Sequence, residues 1–348
     1  MKTPAIFVLV CFMIVTGTTL IYRKLRPDRV AFRKAEKYFT EEAYSEATVH
    51  YRCAIEKGLT ESTVFHRCIQ AQLLGANYAD AERTASEYLR LSDWNPNDAY
   101  EISELFVAGG RFDQALRILE RIVKEEPGNR RARFRLGQVL TWTHDFDTAI
   151  SHYRALQAVD RACDGEDKGA EEEHGKLPDW KVRLELARTL SYAGKLDDSI
   201  EQYGKLLEQR PGPGEVQAEM ATVMFWKGKQ EESLNILEKT PDKALTAEAR
   251  LARADIHASR GEYAGAEKLY RKRLNTHPDD DKARLRLAEA LSWAGKYSES
   301  LREYEAILSG RPGDIQVRRK YALVLSWMGK HEEAAAEFEK TISEESSE

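Results

Sequence analysis

Apolar and small residues recur along the chain with a period of 34 residues. Nine units begin at equivalent places, and seven of the eight spacings between them are 33 or 34 residues. Their first residues are Asp28, Ser62, Pro96, Arg130, Trp180, Gly214, Ala247, Asp281 and Ile315. Within each unit the apolar positions follow the spacing of a helix face in two separate blocks. The pattern therefore predicts an array of helical hairpins, in which residues are also identified by their position, 1 to 34, within a unit.

Four positions in each unit explain how its two helices would pack. Position 20 is Ala or Ser in all nine units, and position 8 is Ala or Gly in seven. Position 11 is mostly large and apolar, and position 24 is bulky in eight units. Small residues allow two antiparallel helices to approach closely, and the bulky residues fill the space on either side. Gly near position 15 and Pro at position 32 are expected to end the two helices.

This pattern resembles the tetratricopeptide repeat family over residues 28–348. The resemblance implies an all-α fold, built as a right-handed superhelical solenoid of about nine helical hairpins. One departure is position 4, where the family usually has Trp and this chain has Arg in five units. These residues are Arg133, Arg183, Arg250, Arg284 and Arg318.

Residues 162–179 interrupt the array between the fourth and fifth units. The segment is rich in Asp, Glu and Gly and has almost no large apolar side chain, which predicts a flexible acidic insertion. It is either a tolerated surface loop or a hinge or docking segment. The predicted organisation is an anchor or signal segment at 1–27, repeats one to four at 28–161, the insertion at 162–179 and repeats five to nine at 180–348.

The amino-terminal residues 4–22 form a charge-free run of 19 mostly apolar residues. A helix that crosses a bilayer needs about 20 such residues, so the run predicts one N-terminal transmembrane helix and a single-pass membrane protein. A cleaved signal segment is the alternative. Arg23, Lys24 and Arg26 follow the run and favour the cytoplasm for the repeats.

The charge balance argues against nucleic acid as a partner. The net charge is −5, and residues 1–27 carry four basic side chains and no acid, so the remainder of the chain carries −9. Such a chain repels phosphate backbones.

The four cysteines include no C-x-x-C pair, which leaves no support for a zinc or redox motif. Cys53 and Cys68 are expected to be buried thiols, with a disulfide between them as the alternative.

Known catalytic and phosphate-binding motifs are also missing from the sequence. The eight histidines are scattered, and acid pairs such as Glu231–Glu232 lie where a helix is expected to start, which favours the helix dipole. The sequence therefore predicts a protein without a catalytic site, a cofactor or a metal.

An aromatic residue recurs at position 13, just before the expected turn, in motifs such as LSWAGK. The five rings are Trp142, Tyr192, Trp226, Trp293 and Trp327. In tetratricopeptide repeats, positions 2, 5, 9, 12 and 13 line the concave face. The resemblance therefore implies a partner-binding groove that contains Phe134, Gln138, Trp142, Arg188, Tyr192, Phe225, Trp226, Glu289, Trp293, Arg319 and Trp327. The alternative is that each ring packs on the next repeat and is structural.

These observations lead to two functional hypotheses. The first is a non-enzymatic, membrane-anchored scaffold that holds a protein or peptide in its concave groove. The second is an accessory protein of exopolysaccharide synthesis or export, in which the rings contact a polysaccharide. Arg at position 4 and Leu-Ser-Trp at positions 11–13 are similar to the periplasmic repeat regions of bacterial exopolysaccharide export proteins. That similarity favours the periplasmic side of the membrane for the repeats, against the charge balance.

Overall fold

The computed structural model describes residues 26–163, 177–210 and 214–345. Within these ranges the chain forms 18 α-helices, one 3₁₀-helix at Asp242–Ala244 and no β-strand. The first helices of the repeats are α1 (Pro27–Thr40), α3 (Ser62–Leu74), α5 (Pro96–Ala108), α7 (Arg130–Trp142), α9 (Asp179–Tyr192), α11 (Gly214–Trp226), α13 (Ala247–Ser259), α15 (Asp281–Trp293) and α17 (Ile315–Trp327). The second helices are α2 (Tyr44–Glu56), α4 (Tyr78–Leu91), α6 (Phe112–Glu125), α8 (Phe146–Cys163), α10 (Leu196–Gln209), α12 (Gln230–Lys239), α14 (Tyr263–Thr276), α16 (Tyr297–Gly310) and α18 (His331–Glu345). The all-α fold and the two helices per repeat are confirmed.

The chain divides into two compact units, Met1–Glu185 and Leu186–Glu348. The division falls within α9. Helix α8 continues to Cys163 and α9 begins at Asp179, so most of the predicted insertion lies outside the described residues. In each unit, the second helix of a repeat packs on the first helix of its own repeat, and the first helices of neighbouring repeats meet at several places.

The predicted location as a single-pass membrane protein needs correction. Among residues 26–163, 177–210 and 214–345, none of the helices combines the length and the apolar character that a bilayer crossing requires. The run at 4–22, from which the transmembrane helix was predicted, lies outside the described residues.

The two helices of each repeat meet at positions 8 and 20. Ala35, Ala187 and Ala288 at position 8 have no exposed surface, and neither do their partners at position 20. Where position 20 is serine, its hydroxyl donates a hydrogen bond to the position-8 carbonyl of the first helix. These bonds are Ser199–Ala187 at 2.8 Å, Ser233–Ala221 at 2.7 Å and Ser300–Ala288 at 2.7 Å. A side chain this short reaches the neighbouring backbone only because the helices are in close contact, as the small residues predict.

A left-handed residue at position 15 ends the first helix of every repeat. Six repeats have glycine there with a φ between +69° and +84°, and Glu42, Ala76 and His144 adopt the same region in the other three. The following backbone N–H then donates to the position-11 carbonyl, as in Lys296 to Leu291 at 2.9 Å. This pairing satisfies a carbonyl that the end of the helix would otherwise leave unpaired.

The turn between repeats is held by side chains at both ends. Asn129, Asp280 and Asp314 cap the next helix by accepting a backbone N–H, each at 3.0 Å. The position-4 arginines bind the same turn from the other side. Arg133 donates to the Pro127 carbonyl at 2.9 Å, and in later repeats Arg284 and Arg318 donate to the carbonyls of Pro278 and Pro312. In these three repeats the arginine thus ties the turn to the helix that follows it.

Gly137 offers a direct test of the close helix contact. A Cβ added there would lie 2.8 Å from Cζ and 2.9 Å from Cε1 of Tyr153, the bulky residue at position 24. Gly204, within α10, has nothing within 4 Å of an added Cβ and is the matched control. We expect Gly204→Ala to raise the free energy of unfolding by up to about 1 kcal/mol, because alanine favours a helix. We expect Gly137→Ala to lower it by about 1 kcal/mol, because the clash outweighs that gain.

Urea denaturation of the full chain, followed by circular dichroism, would compare the two variants. Equal stabilisation by both substitutions would contradict the close packing of Tyr153 on α7.

Candidate binding surface

The five position-13 rings are the last residues of their helices and are largely exposed. Their exposed fractions are 46% for Trp142, 59% for Tyr192, 49% for Trp226, 65% for Trp293 and 45% for Trp327. Large aromatic side chains usually bury most of their surface in a folded protein. The helix contacts at positions 8, 11, 20 and 24 are complete without these rings. Packing between repeats therefore leaves about half of each ring available.

In the second unit, two of these rings form an exposed pair. The ring centroids of Trp293 and Trp327 are 5.7 Å apart with a 45° interplanar angle, and Tyr297 lies 6.2 Å from Trp327. The pair joins α15 to α17, the first helices of neighbouring repeats. Trp293 thus contacts the next repeat and Trp327 the preceding one, each with part of its surface, and each presents the remainder to solvent.

In the first unit, Trp142 has a polar neighbour as well as an aromatic one. Its ring lies 6.0 Å from that of Phe112, and the guanidinium carbon of Arg135 lies 5.1 Å from its centroid. Arg135 also donates to Gln138 at 3.1 Å and makes two bonds to Glu104 of the preceding repeat. One arginine therefore connects the predicted site residues Gln138 and Trp142.

Ion pairs run beside the rings and connect neighbouring repeats. Positions 6, 9 and 13 share one stripe of the first helix, because they are three and four residues apart. Position 9 of one repeat pairs with position 6 of the next in five places. The pairs are Glu36–Arg67 at 3.6 Å, Glu104–Arg135 at 2.6 Å, Arg188–Glu219 at 2.6 Å, Asp255–Arg286 at 3.7 Å and Glu289–Lys320. Two predicted site residues, Arg188 and Glu289, thus have structural partners.

One of these five pairs is reversed. Four have the acid at position 9, whereas repeat five has Arg188 there and Glu219 at position 6 of the next repeat. The two donor nitrogens Nε and Nη2 of Arg188 bind the two carboxylate oxygens of Glu219 at 2.9 and 2.6 Å. This bidentate geometry is favourable for an arginine and a carboxylate.

Three tyrosines at position 24, Tyr51, Tyr203 and Tyr270, donate to these same acids. Tyr51 and Tyr270 bind the position-9 acids of their own repeats, Glu36 and Asp255, at 2.5 Å. Tyr203 instead donates to Glu219 of the next repeat at 3.0 Å, because its own position 9 is arginine. Burial and the Glu219 carboxylate raise the pKa of Tyr203, so its phenol stays protonated as a donor. In these three repeats the buried tyrosine therefore binds whichever residue of the ion pair is the acid, whether that acid lies at position 9 of its own repeat or at position 6 of the next.

The remaining predicted site residues lie partly inside the repeat contacts. Phe134 is half-buried, 5.9 Å from the ring of Tyr153. Phe225 packs against the buried residues of α11, α12 and α13. Arg319 is half-buried on α17. Partner binding by any of the eleven predicted residues stays a prediction.

The position-6 residues are not among those predicted from the sequence. Their signal was present, because a charge at position 9 recurs with an opposite charge 31 residues later. The residues are Arg67, Arg135, Glu219, Arg286 and Lys320.

Cys53 and Cys68 are both free thiols, and burial raises the pKa of Cys68 to about 12. The disulfide alternative is therefore wrong.

Comparison with known proteins supports the resemblance on which the site was predicted. Residues 106–165 and 257–324 match the family model described as tetratricopeptide repeat. These two segments therefore match tetratricopeptide repeats. Comparison with curated proteins gave no match. None of these findings shows the predicted similarity to exopolysaccharide export proteins.

Several solved structures are similar to the chain. A tetratricopeptide repeat protein from Parabacteroides merdae is 15% identical, with a TM-score of 0.49, over 76% of this chain and 98% of that one. The structure of Naa15/Naa10 bound to HypK-THB is 13% identical, with a TM-score of 0.40, over 91% of this chain and 51% of that one. MamA is 20% identical, with a TM-score of 0.42, over 47% of this chain and 95% of that one.

The reversed ion pair can be tested by exchanging its partners. We expect Arg188→Glu to lower the free energy of unfolding by about 1–2 kcal/mol, because it places two carboxylates together in a half-buried site. We expect the double variant Arg188→Glu with Glu219→Arg to recover most of that loss. It restores the orientation found in the other four pairs, and Tyr203 can then donate to the acid of its own repeat, as Tyr51 and Tyr270 do.

Urea denaturation of the parent, both single variants and the double variant gives the coupling energy between the two residues. A double variant that is as unstable as the sum of its single variants would show that the pair contributes nothing to the contact between repeats.

Proposed function

We propose that this protein is a non-enzymatic scaffold that binds a protein or peptide partner through its position-13 rings. The observation that carries the proposal is the exposure of all five rings at the ends of first helices whose core contacts are already complete. Rigid aromatic side chains of this kind dominate the binding energy of protein interfaces. The tetratricopeptide repeats of this chain support a role in protein interaction.

The pair formed by Trp293 and Trp327 is the strongest anchor for a partner. Burial of apolar surface contributes roughly 25 cal/mol per Å², so covering one exposed indole ring contributes on the order of 1–3 kcal/mol. The rings already contact each other and Tyr297, so little side-chain freedom is lost on binding. An exposed but ordered aromatic pair can therefore support specific binding.

The charged stripe beside the rings favours a partner of mixed polarity. Asp255, Arg286, Glu289 and Lys320 form a continuous series of ion pairs across repeats seven to nine. Because the charges neutralise one another, this stripe does not attract a strongly charged ligand. The partner that fits this surface best is a peptide. Its apolar side chains would cover the rings, and its backbone would form hydrogen bonds with the charged stripe. No nucleic acid is proposed as a partner.

A polysaccharide is the competing ligand, because sugar rings also stack on exposed indole faces. The exposure of Trp293 favours a polysaccharide as much as it favours a peptide. The charged stripe beside the ring does not favour a polysaccharide. Titration of the full chain with oligosaccharides while tryptophan fluorescence is recorded would identify such binding.

The proposal predicts that removing the exposed pair removes a partner without unfolding the protein. We expect the double variant Trp293→Ala with Trp327→Ala to lose at least one protein that the parent captures in a pull-down, while its unfolding midpoint stays nearly unchanged. The matched control is Val49→Ala with Leu91→Ala, which shortens two similarly exposed apolar side chains on second helices.

Mass spectrometry of the captured proteins distinguishes the outcomes. The control should retain every partner of the parent. Identical partners for the parent and the tryptophan variant would show that the rings serve packing alone. Fluorescence quenching by an oligosaccharide, lost in the same variant, would favour the polysaccharide.

A further inference from the structure

Repeat two departs from the other repeats at its second helix and at the turn that follows. Position 24 is Ala85, whereas the other eight repeats have a bulky residue there. The turn contains Asp93 and Trp94 at positions 32 and 33, where four other repeats have proline followed by Gly or Asp. Position 8, which is small in the other repeats, is the buried Ile69 here, so the large side chain of the pair lies on the first helix and the turn has an additional one.

The turn after α4 consequently has a different backbone course. Asp93 and Trp94 both have positive φ, +51° and +52°, and the Trp94 N–H donates to the Leu89 carbonyl at 2.8 Å. The second helices of repeats three, five, seven and eight end instead in extended residues with φ between −121° and −138°. Helix α4 makes only slight contact with α5, and a cleft of about 470 Å³ lies between α4 and α6.

The floor of the cleft is apolar. Ala85, Leu89 and Phe106 line it and are all buried within the first unit, and Ile118 of α6 adds a half-buried side chain. The methyl group of Ala85 occupies the position at which other repeats place a tyrosine, leucine or phenylalanine. The volume lies within the usual range of small-molecule sites, about 300–1,000 Å³.

The charged residues that line the cleft are three arginines and the two carboxylates of Glu82 and Asp93, so its charged side chains sum to +1. The guanidinium of Arg121 lies over the Trp94 ring at 3.5 Å and pairs with Glu125 at 2.8 Å. Arg117 pairs with Glu82 at 3.3 Å. Arg90 also lines the cleft, is exposed, and forms no ion pair among residues 26–163, 177–210 and 214–345. Within the same described residues, the buried Nε1 of Trp94 has no acceptor.

We propose that this cleft binds a small amphipathic carboxylate. An apolar body would fill the space beside Ala85, Leu89 and Phe106, and its carboxylate would pair with Arg90. An indole N–H and a guanidinium are donors only, so the buried N–H of Trp94 requires an acceptor and the exposed guanidinium of Arg90 can exchange water for a carboxylate. A charge-assisted bond from an arginine to a carboxylate is the strongest that this rim offers. The site lies in the first unit and is independent of the function proposed for the position-13 rings.

The probe is 4-phenylbutyrate, with 4-phenylbutylamine as its counterpart of opposite charge and the same carbon skeleton. Isothermal titration calorimetry on the full chain would measure both. For a ligand of this size we expect a dissociation constant of about 1 mM or lower for the carboxylate. We expect binding of the amine to be at least about tenfold weaker, because it adds a positive charge beside the arginines.

Two variants test the two halves of the site. Arg90→Glu should weaken 4-phenylbutyrate binding at least about tenfold, because it replaces the donor with a repelling charge. The matched control Arg83→Glu reverses an exposed charge on α4 outside the cleft and should leave binding unchanged. Ala85→Leu should abolish binding, because it fills the cleft with the kind of residue that other repeats have at position 24.

Circular dichroism would check that each variant is folded. If Ala85→Leu does not fold, Arg90→Glu alone still tests the proposal. Equal affinity for carboxylate and amine, undetectable binding of 4-phenylbutyrate at 10 mM (a concentration about tenfold above the expected constant), or unchanged binding in Arg90→Glu would each overturn the proposal.

Discussion

The structure depends on the close contact of two helices at positions 8 and 20 of every repeat. Outside repeat two, which has Ile69 at position 8, side chains no larger than alanine or serine face each other there, with almost no exposed surface. The contact brings the position-11 and position-24 residues together on either side and fixes the orientation of each first helix. Because interiors are packed as densely as organic crystals, even one added methyl group at such a position is expected to displace its neighbours.

This contact also determines which residues remain available for binding. Positions 8 and 11 of the first helix face the second helix, and positions 6 and 9 connect neighbouring repeats through ion pairs. Position 13 lies at the end of the helix, beyond the second-helix contact, so an aromatic residue there stays half exposed. The recurring motif LSWAGK thus combines a core leucine, an exposed ring and a glycine that turns the chain. Repeat two differs, because Ile69 takes the small position 8, and Ala85 at position 24 lines a cleft together with Trp94 of the following turn.

Much of this arrangement could be predicted from the sequence. The 34-residue period gave the number of repeats, and small residues such as Ala288 and Ser300 indicated the helix contact. Glycines such as Gly295 indicated the turns. The prediction extended to the exposed rings only through the family resemblance, because periodicity does not distinguish a ring that packs on the next repeat from one that faces solvent. The single-pass membrane location was predicted from the apolar run at 4–22 and is not supported by any helix of the described residues.

Other features required coordinates because they depend on contacts between repeats. The reversed pair Arg188–Glu219 is visible in the sequence only when position 9 of one repeat is compared with position 6 of the next. The position-4 arginines bind backbone carbonyls of the turn, as Arg284 binds that of Pro278. The direction in which a carbonyl points cannot be predicted from the residue types. The cleft of repeat two arises from the combined effects of Ala85 and Trp94, neither of which predicts a cavity by itself.

Hydroxyl-radical footprinting of the full chain, read residue by residue by mass spectrometry, tests the division between core and exposed aromatics most directly. The structure predicts rapid oxidation of Trp142, Tyr192, Trp226, Trp293 and Trp327 and slow oxidation of Tyr203, Tyr270 and Tyr304. Position-24 tyrosines that react as fast as the position-13 rings would contradict the account.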